Sequence, residues 1–306
     1  MSGGRRPRLD TLAVLLLLAC CAVWGLGQVA AKLTLAEIPP LLQAAVRSLG
    51  AALLLLAWSR WRGAAFWQGM WQRDGTGAAG VLAGLLFAAE FACIFLGLQF
   101  TSASRMVVFI YLAPFVVALG MPFIARSETL GRWQLLGLVI AFGGVVWAFY
   151  DGLMRPQLGP LQWLGDALGI AAAVLWGLTT LVLRGSRLGS AVPEKALLYQ
   201  LGVSALALGA ASWLTGEVLP ARLSGAALWP LGFQVLVVSF ASYLVWFWLV
   251  RNYAATQLSA FTLLTPVFGL LAGVLLLGES LTARLLLALA AVCAGIVLVN
   301  RASVRG

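Results

Sequence analysis

The sequence repeats itself after an odd number of apolar segments, and this constrains the fold more than any other feature. Ten apolar segments form two sets of five, and a shift of 152 residues, from Trp24 to Trp176, lays one set on the other. At that shift the coinciding residues are Trp24-Gly25-Leu26 with Trp176-Gly177-Leu178, Lys32 with Arg184, Phe95 with Phe247, Ala103 with Ala255, Leu112 with Leu264 and Pro114 with Pro266. Because five is odd, the second set begins on the opposite side of a membrane, and the halves are predicted to be inverted. Inverted repeats are typical of alternating-access secondary transporters.

The composition predicts an all-α integral membrane protein. Hydrophobic residues make up 62% of the 306 residues and charged residues 10%, with a mean hydropathy of +0.99, and apolar runs of about 20 residues span a bilayer as helices. The ten predicted transmembrane helices are Thr11 to Leu33, Pro40 to Trp58, Gly77 to Phe100, Ser102 to Phe123, Gly131 to Phe149, Leu161 to Leu183, Glu194 to Leu214, Leu228 to Val250, Thr256 to Leu277 and Thr282 to Asn300. They predict two inverted five-helix repeats, residues 1–150 and 151–306, with no room for a soluble domain.

The net charge of +10 is explained by membrane topology rather than by nucleic acid. The basic residues are spread along the chain near segment ends, whereas nucleic-acid binding gathers them on one face. An N-terminus in the cytoplasm places fourteen Lys and Arg residues inside, five outside and one, Arg47, within a span, as the positive-inside rule requires. Both termini are therefore predicted to be cytoplasmic, in a multi-pass protein of the inner (plasma) membrane.

Several marks recur in the same order in both halves. Trp-Gly occurs in the first span of each half, as Trp24-Gly25 and Trp176-Gly177, and a proline lies in the fourth span, as Pro114 and Pro266. A glutamate follows at the turn into the fifth span, in Ser127-Glu128-Thr129-Leu130 and in Gly278-Glu279-Ser280-Leu281. In these marks the chain resembles the drug/metabolite transporter superfamily, specifically its EamA-type members with ten helices in two repeats.

The resemblance covers nearly the whole chain and implies export of amino acids, nucleobases, drugs or other small metabolites. Some members of the family export aromatic amino acids. Such families often carry an arginine in the second span of a repeat, which Arg47 matches, but the second half has Tyr199 or Gln200 at the equivalent place. The two halves are therefore not chemically equivalent.

Two ionisable residues, Arg47 and Glu90, are predicted to lie deep in the membrane. At 1.5 Å per residue, Arg47 lies about 10 Å and Glu90 about 15 Å below the external surface, whereas Asp166 lies nearer an end of its span. A charge at such depth usually faces a cavity or a partner. The two side chains could form a pair that holds two helices together, or they could serve substrate binding or proton coupling. Since the chain has no histidine, Glu90 is the candidate carboxylate for coupling, although a facilitator would need none.

Aromatic residues at matching depths predict the wall of a central substrate cavity. The candidates are Trp24, Phe87, Phe91, Tyr111, Trp176 and Tyr243, with Trp248 nearer the cytoplasmic mouth. Aromatic walls suit amphipathic or aromatic substrates, and tyrosine hydroxyls provide polar contacts. The alternative is that these rings face lipid or fill helix contacts.

Pro114 and Pro266 are predicted to kink the fourth and ninth spans, since each removes a backbone hydrogen bond. Glu128 and Glu279 are expected at helix starts, where a carboxylate caps free amides.

The predicted function is export of small metabolites, most plausibly aromatic or other amphipathic amino acids, by alternating access. Multidrug or cation export by the same fold is the alternative, with Glu90 placed to meet a cation. A membrane enzyme acting on lipid-linked substrates would need clustered acids, and a channel would need rings of charge. The four cysteines, Cys20, Cys21, Cys93 and Cys293, lie in apolar segments without metal-ligand spacing. We expect free thiols, no metal, no cofactor, no nucleic-acid partner and a functional monomer in the lipid bilayer.

Overall fold

The computed structural model describes residues 10–124, 132–154, 156–253, 258, 261–262 and 264–303. The regular elements within those ranges are all helices. They are α1 (Thr11–Thr34), α2 (Pro40–Trp61), α3 (Ala64–Trp71), α4 (Gly77–Gly97), α5 (Ala103–Ile110), α6 (Ala113–Ile124), α7 (Arg132–Met154), α8 (Gln162–Arg184), α9 (Pro193–Leu214), α10 (Gly225–Phe233), α11 (Ser242–Asn252), α12 (Leu264–Leu277) and α13 (Ala283–Ser303). A short 3₁₀ turn, Arg187–Ser190, precedes α9, and a π-helical stretch, Gln234–Ala241, joins α10 to α11.

Several helical stretches, two of them made of more than one of these elements, are long and apolar enough to cross a membrane. Within the described residues seven helical stretches meet that condition, and three shorter apolar helices, Leu135–Tyr150, Leu264–Leu277 and Ala283–Leu298, accompany them. Each of the ten predicted spans overlaps one of these stretches. The all-helical class is thus confirmed for the described residues, while ten crossings and cytoplasmic termini stay predictions.

Three details differ from the predicted helices. The fourth span is broken into α5 and α6 by a turn at Tyr111 and Leu112, just before Pro114, whose missing amide hydrogen leaves the Ile110 carbonyl without its helical donor. The eighth span contains the π-helical stretch, in which the helical hydrogen bonds reach one residue further than in an α-helix. The predicted loop after the second span contains α3. Pro266, at which the sequence predicts a kink, lies in the first turn of α12. Leu263, just before α12, lies outside the described residues, so the kink stays a prediction.

The helices of the two halves pack in corresponding ways. Helix α1 packs against α12, and α8 packs against α5 and α6, which correspond to α12 at the 152-residue shift between Trp24 and Trp176. Helix α8 also packs against α4, while α1 packs against α10, the π-helical stretch and α11, which correspond to α4. Helices α2 and α9 pack on each other, as do α7 and α13. The two halves thus share one packing arrangement.

The glycine of each Trp-Gly pair lies where two helices touch. A Cβ atom at Gly25 would lie 2.5 Å from the backbone nitrogen of Gly269 on α12, and one at Gly177 would lie 2.5 Å from Val116 Cβ on α6. No real Cβ atom fits at such distances, so these positions need glycine for the helices to approach.

Five connections meet at one end of the bundle, which we call the linker end because it carries the segment between the two halves. They are residues 35–39, 98–102, 156–161, 215–224 and 278–282. Lys32 Nζ donates to the Thr101 carbonyl, and Ser224 Oγ donates to Glu37. Ser280 Oγ donates to Gln157 Oε1 at 2.6 Å. Side chains thus tie these connections to one another.

Candidate functional site

The two deep charges lie side by side in the helix bundle without an ion pair. Arg47 on α2 is 4% exposed and Glu90 on α4 is 5% exposed. The Arg47 guanidinium interacts electrostatically with Glu90 and with Tyr243, and its Cζ lies 4.0 Å from the centre of the Phe91 ring. Arg47 Nη1 and Glu90 Oε2 are each buried without a hydrogen-bond partner. The structure brings these two predicted residues together but leaves donor and acceptor unused.

Four of the predicted aromatic residues pack in the apolar cluster beside these charges. Phe87 and Phe91 are buried, with ring centres 4.6 Å apart. Trp176 on α8 and Tyr243 on α11 are half-buried and pack on the same cluster. These four residues come from three helices, α4, α8 and α11, that lie far apart in the sequence.

Trp176 connects this cluster to the broken fourth span. Its ring meets the ring of Tyr111 edge-on at 6.0 Å, and Tyr111 is buried in the turn between α5 and α6. Trp176 packs against both apolar clusters of the bundle. A movement of this ring would therefore disturb the packing of both clusters.

Trp24 and Trp248 lie elsewhere. Trp24 donates its indole N–H to Ser242 Oγ at 2.8 Å and meets Trp246 edge-on at 5.4 Å. Trp248 is 40% exposed and packs on Tyr253 at 6.0 Å, whose hydroxyl donates to Asp10 Oδ2 at 2.8 Å. Since Asp10 precedes α1, Trp248 lies toward the end of the bundle opposite the linker end, and neither tryptophan packs with the Phe87 cluster.

Several buried uncharged polar residues could not be recognised from the sequence. Buried oxygens without a hydrogen-bond partner occur on α1, α2, the π-helical stretch and α12; they are Gln28 Oε1, Gln43 Oε1, Ser48 Oγ, Ser239 Oγ and Thr265 Oγ1. Buried polar groups are nearly always paired in proteins, so such a group of unused acceptors and hydroxyls needs an explanation. Their signal in the sequence is a single polar residue inside an apolar run, and only Ser48 is adjacent to a charge.

A buried ion pair near the linker end was also missed. Arg105 on α5 contacts Asp166 on α8 through Nε–Oδ1 at 3.0 Å and Nη2–Oδ2 at 2.6 Å. Thr101 Oγ1 donates to Asp166 Oδ1 at 2.6 Å, and Arg105 Nη2 donates to the Ala148 carbonyl at 2.6 Å. A cavity of about 40 Å³, lined in part by Arg105 and Glu279, lies beside this network. The network joins α5, α7 and α8.

Two glutamates cap helices that belong to the other half of the chain. Glu279 accepts hydrogen bonds from the amides of Ala103 at 2.7 Å and Ser104 at 2.9 Å, at the start of α5. Glu217 accepts from the amides of Leu41 at 3.2 Å and Leu42 at 2.7 Å, at the start of α2. The capping role expected for Glu279 holds, but the capped helix is α5 rather than the helix that follows it, since α13 begins only at Ala283. Glu128 lies outside the described residues.

The part of the chain that the structure describes holds no group of three or more His, Cys, Asp or Glu side chains arranged for a metal ion. All four cysteines are free thiols.

One known protein family matches both halves of the chain. The model of the EamA-like transporter family matches residues 11–150 and 163–301. The chain belongs to the EamA-like transporter family. With its apolar helices, this EamA-family chain is a multi-pass membrane protein.

Relatives of the EamA-family chain are named as transporters. The transporter YoaV of Bacillus subtilis is 24% identical over 90% of this chain and 91% of its own. A protein named probable amino-acid metabolite efflux pump, from Salmonella typhimurium, is 27% identical over 92% of each chain. A protein of Pseudomonas aeruginosa is 36% identical over 57% of each chain.

A solved protein structure shares the fold of this EamA-family chain. It superposes with a TM-score of 0.65 over 97% of this chain and 99% of its own, at 19% sequence identity. At that identity the likeness concerns the fold alone.

Proposed function

We propose that this protein is a secondary transporter of the inner membrane that exports amino acids, aromatic or otherwise amphipathic. The observation that carries the proposal is the buried, unpartnered pair Arg47 and Glu90 beside an aromatic cluster, in a chain of the EamA-like transporter family. Charges inside a membrane usually mark a substrate or ion path. The Salmonella relative's name supports amino acids as the substrate class.

Alternating access is the proposed mechanism. It is supported by the shared packing of the two halves, which lets each half present its surface to the other in two ways. Arg47 and Glu90 are closed off from solvent, so a substrate reaches them only when helices separate at one end of the bundle. We propose two inverted units, residues 1–150 and 151–306, ten crossings, cytoplasmic termini and a functional monomer.

Export of cationic drugs is the second candidate. Glu90 beside Phe87 and Phe91 would attract a cation, since carboxylates and aromatic faces both favour positive charge. Arg47 argues against it, because a guanidinium interacting with Glu90 repels a cation bound there.

Efflux from liposomes tests the proposed function. Purified protein is reconstituted, the liposomes are loaded with radiolabelled amino acids, and efflux is measured with and without a pH gradient. The intact protein is compared with Glu90→Gln and Trp176→Ala. Trp213→Ala serves as the matched aromatic control, because Trp213 is 80% exposed near the end of α9.

We expect efflux above that of empty liposomes, its loss in Glu90→Gln and Trp176→Ala, and no change in Trp213→Ala. Dependence on the gradient distinguishes proton coupling from facilitated transport. If the intact protein moves no amino acid but moves organic cations, the second candidate replaces the first.

A further inference from the structure

We infer that Arg47 and Glu90 bind the two charged ends of a zwitterionic α-amino acid, Arg47 its carboxylate and Glu90 its ammonium group. This rests on the proposed function and names the charge pattern of the substrate. Arg47 Nη1 and Glu90 Oε2 are both buried and both lack a hydrogen-bond partner. A buried donor and a buried acceptor left unused are costly unless a ligand completes them.

The unused atoms match the atoms of an amino acid. A guanidinium has only donors, so a free Nη1 fits a carboxylate oxygen. A carboxylate has only acceptors, so a free Oε2 fits an ammonium N–H. Uncharged oxygens on the same helix, Gln43 Oε1 and Ser48 Oγ, are also unpartnered and flank Arg47 in the sequence.

The balance of charge selects against singly charged ligands. A cation at Glu90 is repelled by Arg47, and an anion at Arg47 is repelled by Glu90, because the two side chains interact electrostatically. A ligand that carries both charges at the correct ends meets attraction at each. The site therefore favours a molecule that is neutral overall but charged at both ends.

The surroundings restrain the arginine and place aromatic side chains beside it. The guanidinium lies 4.0 Å from the centre of the Phe91 ring, which restrains it by a cation–π contact. Phe87, Trp176 and Tyr243 pack in the same cluster and supply apolar and aromatic surface. An aromatic amino acid would thus bury its ring among these aromatic side chains.

Competition on the intact protein tests the charge pattern without any substitution. Binding of radiolabelled phenylalanine to detergent-solubilised protein is competed with unlabelled phenylalanine, 2-phenylethylamine, 3-phenylpropionate and 2-phenylethanol. Since one hydrogen bond to a charged group is worth about tenfold or more in affinity, phenylalanine should compete at least about tenfold better than either singly charged analogue. Equal competition by an analogue that lacks one charge overturns the inference.

Two substitutions assign each charge to its residue. Arg47→Gln should lose the preference for phenylalanine over 2-phenylethylamine, and Glu90→Gln should lose the preference over 3-phenylpropionate. The ratio of the two ligands is measured within each variant, so partial loss of folded protein does not alter it. Arg47→Lys retains the charge and should preserve part of the preference. A variant that keeps the selectivity of the intact protein overturns the assignment.

The outcomes separate the inference from the proposed function. If liposomes with intact protein export phenylalanine but both variants keep the selectivity of the intact protein, amino-acid export is supported. The assignment of Arg47 and Glu90 to the two charges of the ligand is then wrong. If no amino acid is exported or bound by folded intact protein, the proposed function itself falls, and the inference falls with it.

Discussion

Arg105 and Asp166 form a two-pronged ion pair across α5 and α8, with contacts of 3.0 Å and 2.6 Å. The side chains are 7% and 0% exposed, so the pair is shielded from solvent. Thr101 and the Ala148 carbonyl complete the hydrogen bonding of both partners. Arg105 and Asp166 thus bond to each other directly, whereas Arg47 Nη1 and Glu90 Oε2 have no hydrogen-bond partner.

Breaking this pair from one side should destabilise the protein strongly. Arg105→Gln or Asp166→Asn leaves one buried charge without a partner, which costs about 3–5 kcal/mol. The double substitution removes both charges and should cost less than the sum of the single ones. Denaturant unfolding of purified protein in detergent measures all three. Strictly additive losses would show that the two residues are not coupled.

Adding a methyl group at Gly25 should disturb the contact between α1 and α12. The new Cβ would meet the Gly269 backbone nitrogen at 2.5 Å, and backbone cannot move aside easily. We expect Gly25→Ala to lose about 1–3 kcal/mol, as overpacking does. Gly202→Ala is the matched control, because a Cβ there meets nothing within 4 Å. The melting temperatures of the two variants should differ clearly, and equal values would contradict the close contact.

Neutralising Glu279 should loosen the start of α5. Glu279→Gln keeps the size of the side chain but loses the charge that accepts from two amides and from Ser104 Oγ at 2.6 Å. Loss of such a cap costs about 1–2 kcal/mol. Glu217→Gln, at the start of α2, should behave alike. Thermal unfolding in detergent checks both, and an unchanged midpoint in either would refute its capping role.

The salt bridge between Asp74 and Lys195 should make stability depend on pH. Lys195 Nζ donates to Asp74 Oδ2 at 2.8 Å and Thr76 Oγ1 donates to Asp74 Oδ1 at 2.6 Å. These hydrogen bonds hold the pKa of the Asp74 carboxyl well below its usual range. The pKa is lower folded than unfolded, so the stabilisation is full above about pH 4, the unfolded value, and is lost as the pH falls toward the folded value.

Asp74→Asn should remove this contribution. Melting temperatures of the intact protein and of the variant are measured from neutral pH down to about pH 3, and the gap between them should be constant above about pH 4 and narrow below it. A constant gap over that range would mean that the carboxylate charge is not what stabilises this contact.

Helical rise alone fixes how far a residue lies from the end of its span, so the sequence could place Arg47 and Glu90 away from the ends of their helices. It could not show that the two side chains leave Nη1 and Oε2 unused. Side-chain directions depend on how α2 and α4 turn toward each other, and this is a property of packing rather than of depth.

Trp24 and Trp176 correspond in the repeat but differ in their neighbours. Trp24 packs on Trp246, whereas Trp176 packs on Tyr111. The residue that corresponds to Trp246 in the first half is Ile94, which offers no aromatic partner. Corresponding helices of the two halves therefore do not make corresponding side-chain contacts where their residues differ.

Arg105 and Asp166 were missed for a different reason. They lie 61 residues apart on separate helices, and neither residue indicates the other in the sequence. The π-helical stretch Gln234–Ala241 was missed because its apolar residues have the same character as those of an α-helix. Only the hydrogen-bond pattern distinguishes it.

The caps supplied by Glu217 and Glu279 affect the order in which the chain matures. Both acids lie in the second half of the sequence, whereas the amides they accept from begin α2 and α5 in the first half. A ribosome emits those two helices long before either acid exists. When the first half has been synthesised, the first amides of α2 and α5 therefore still lack these carboxylate acceptors. An isolated fragment of the first half would never gain them.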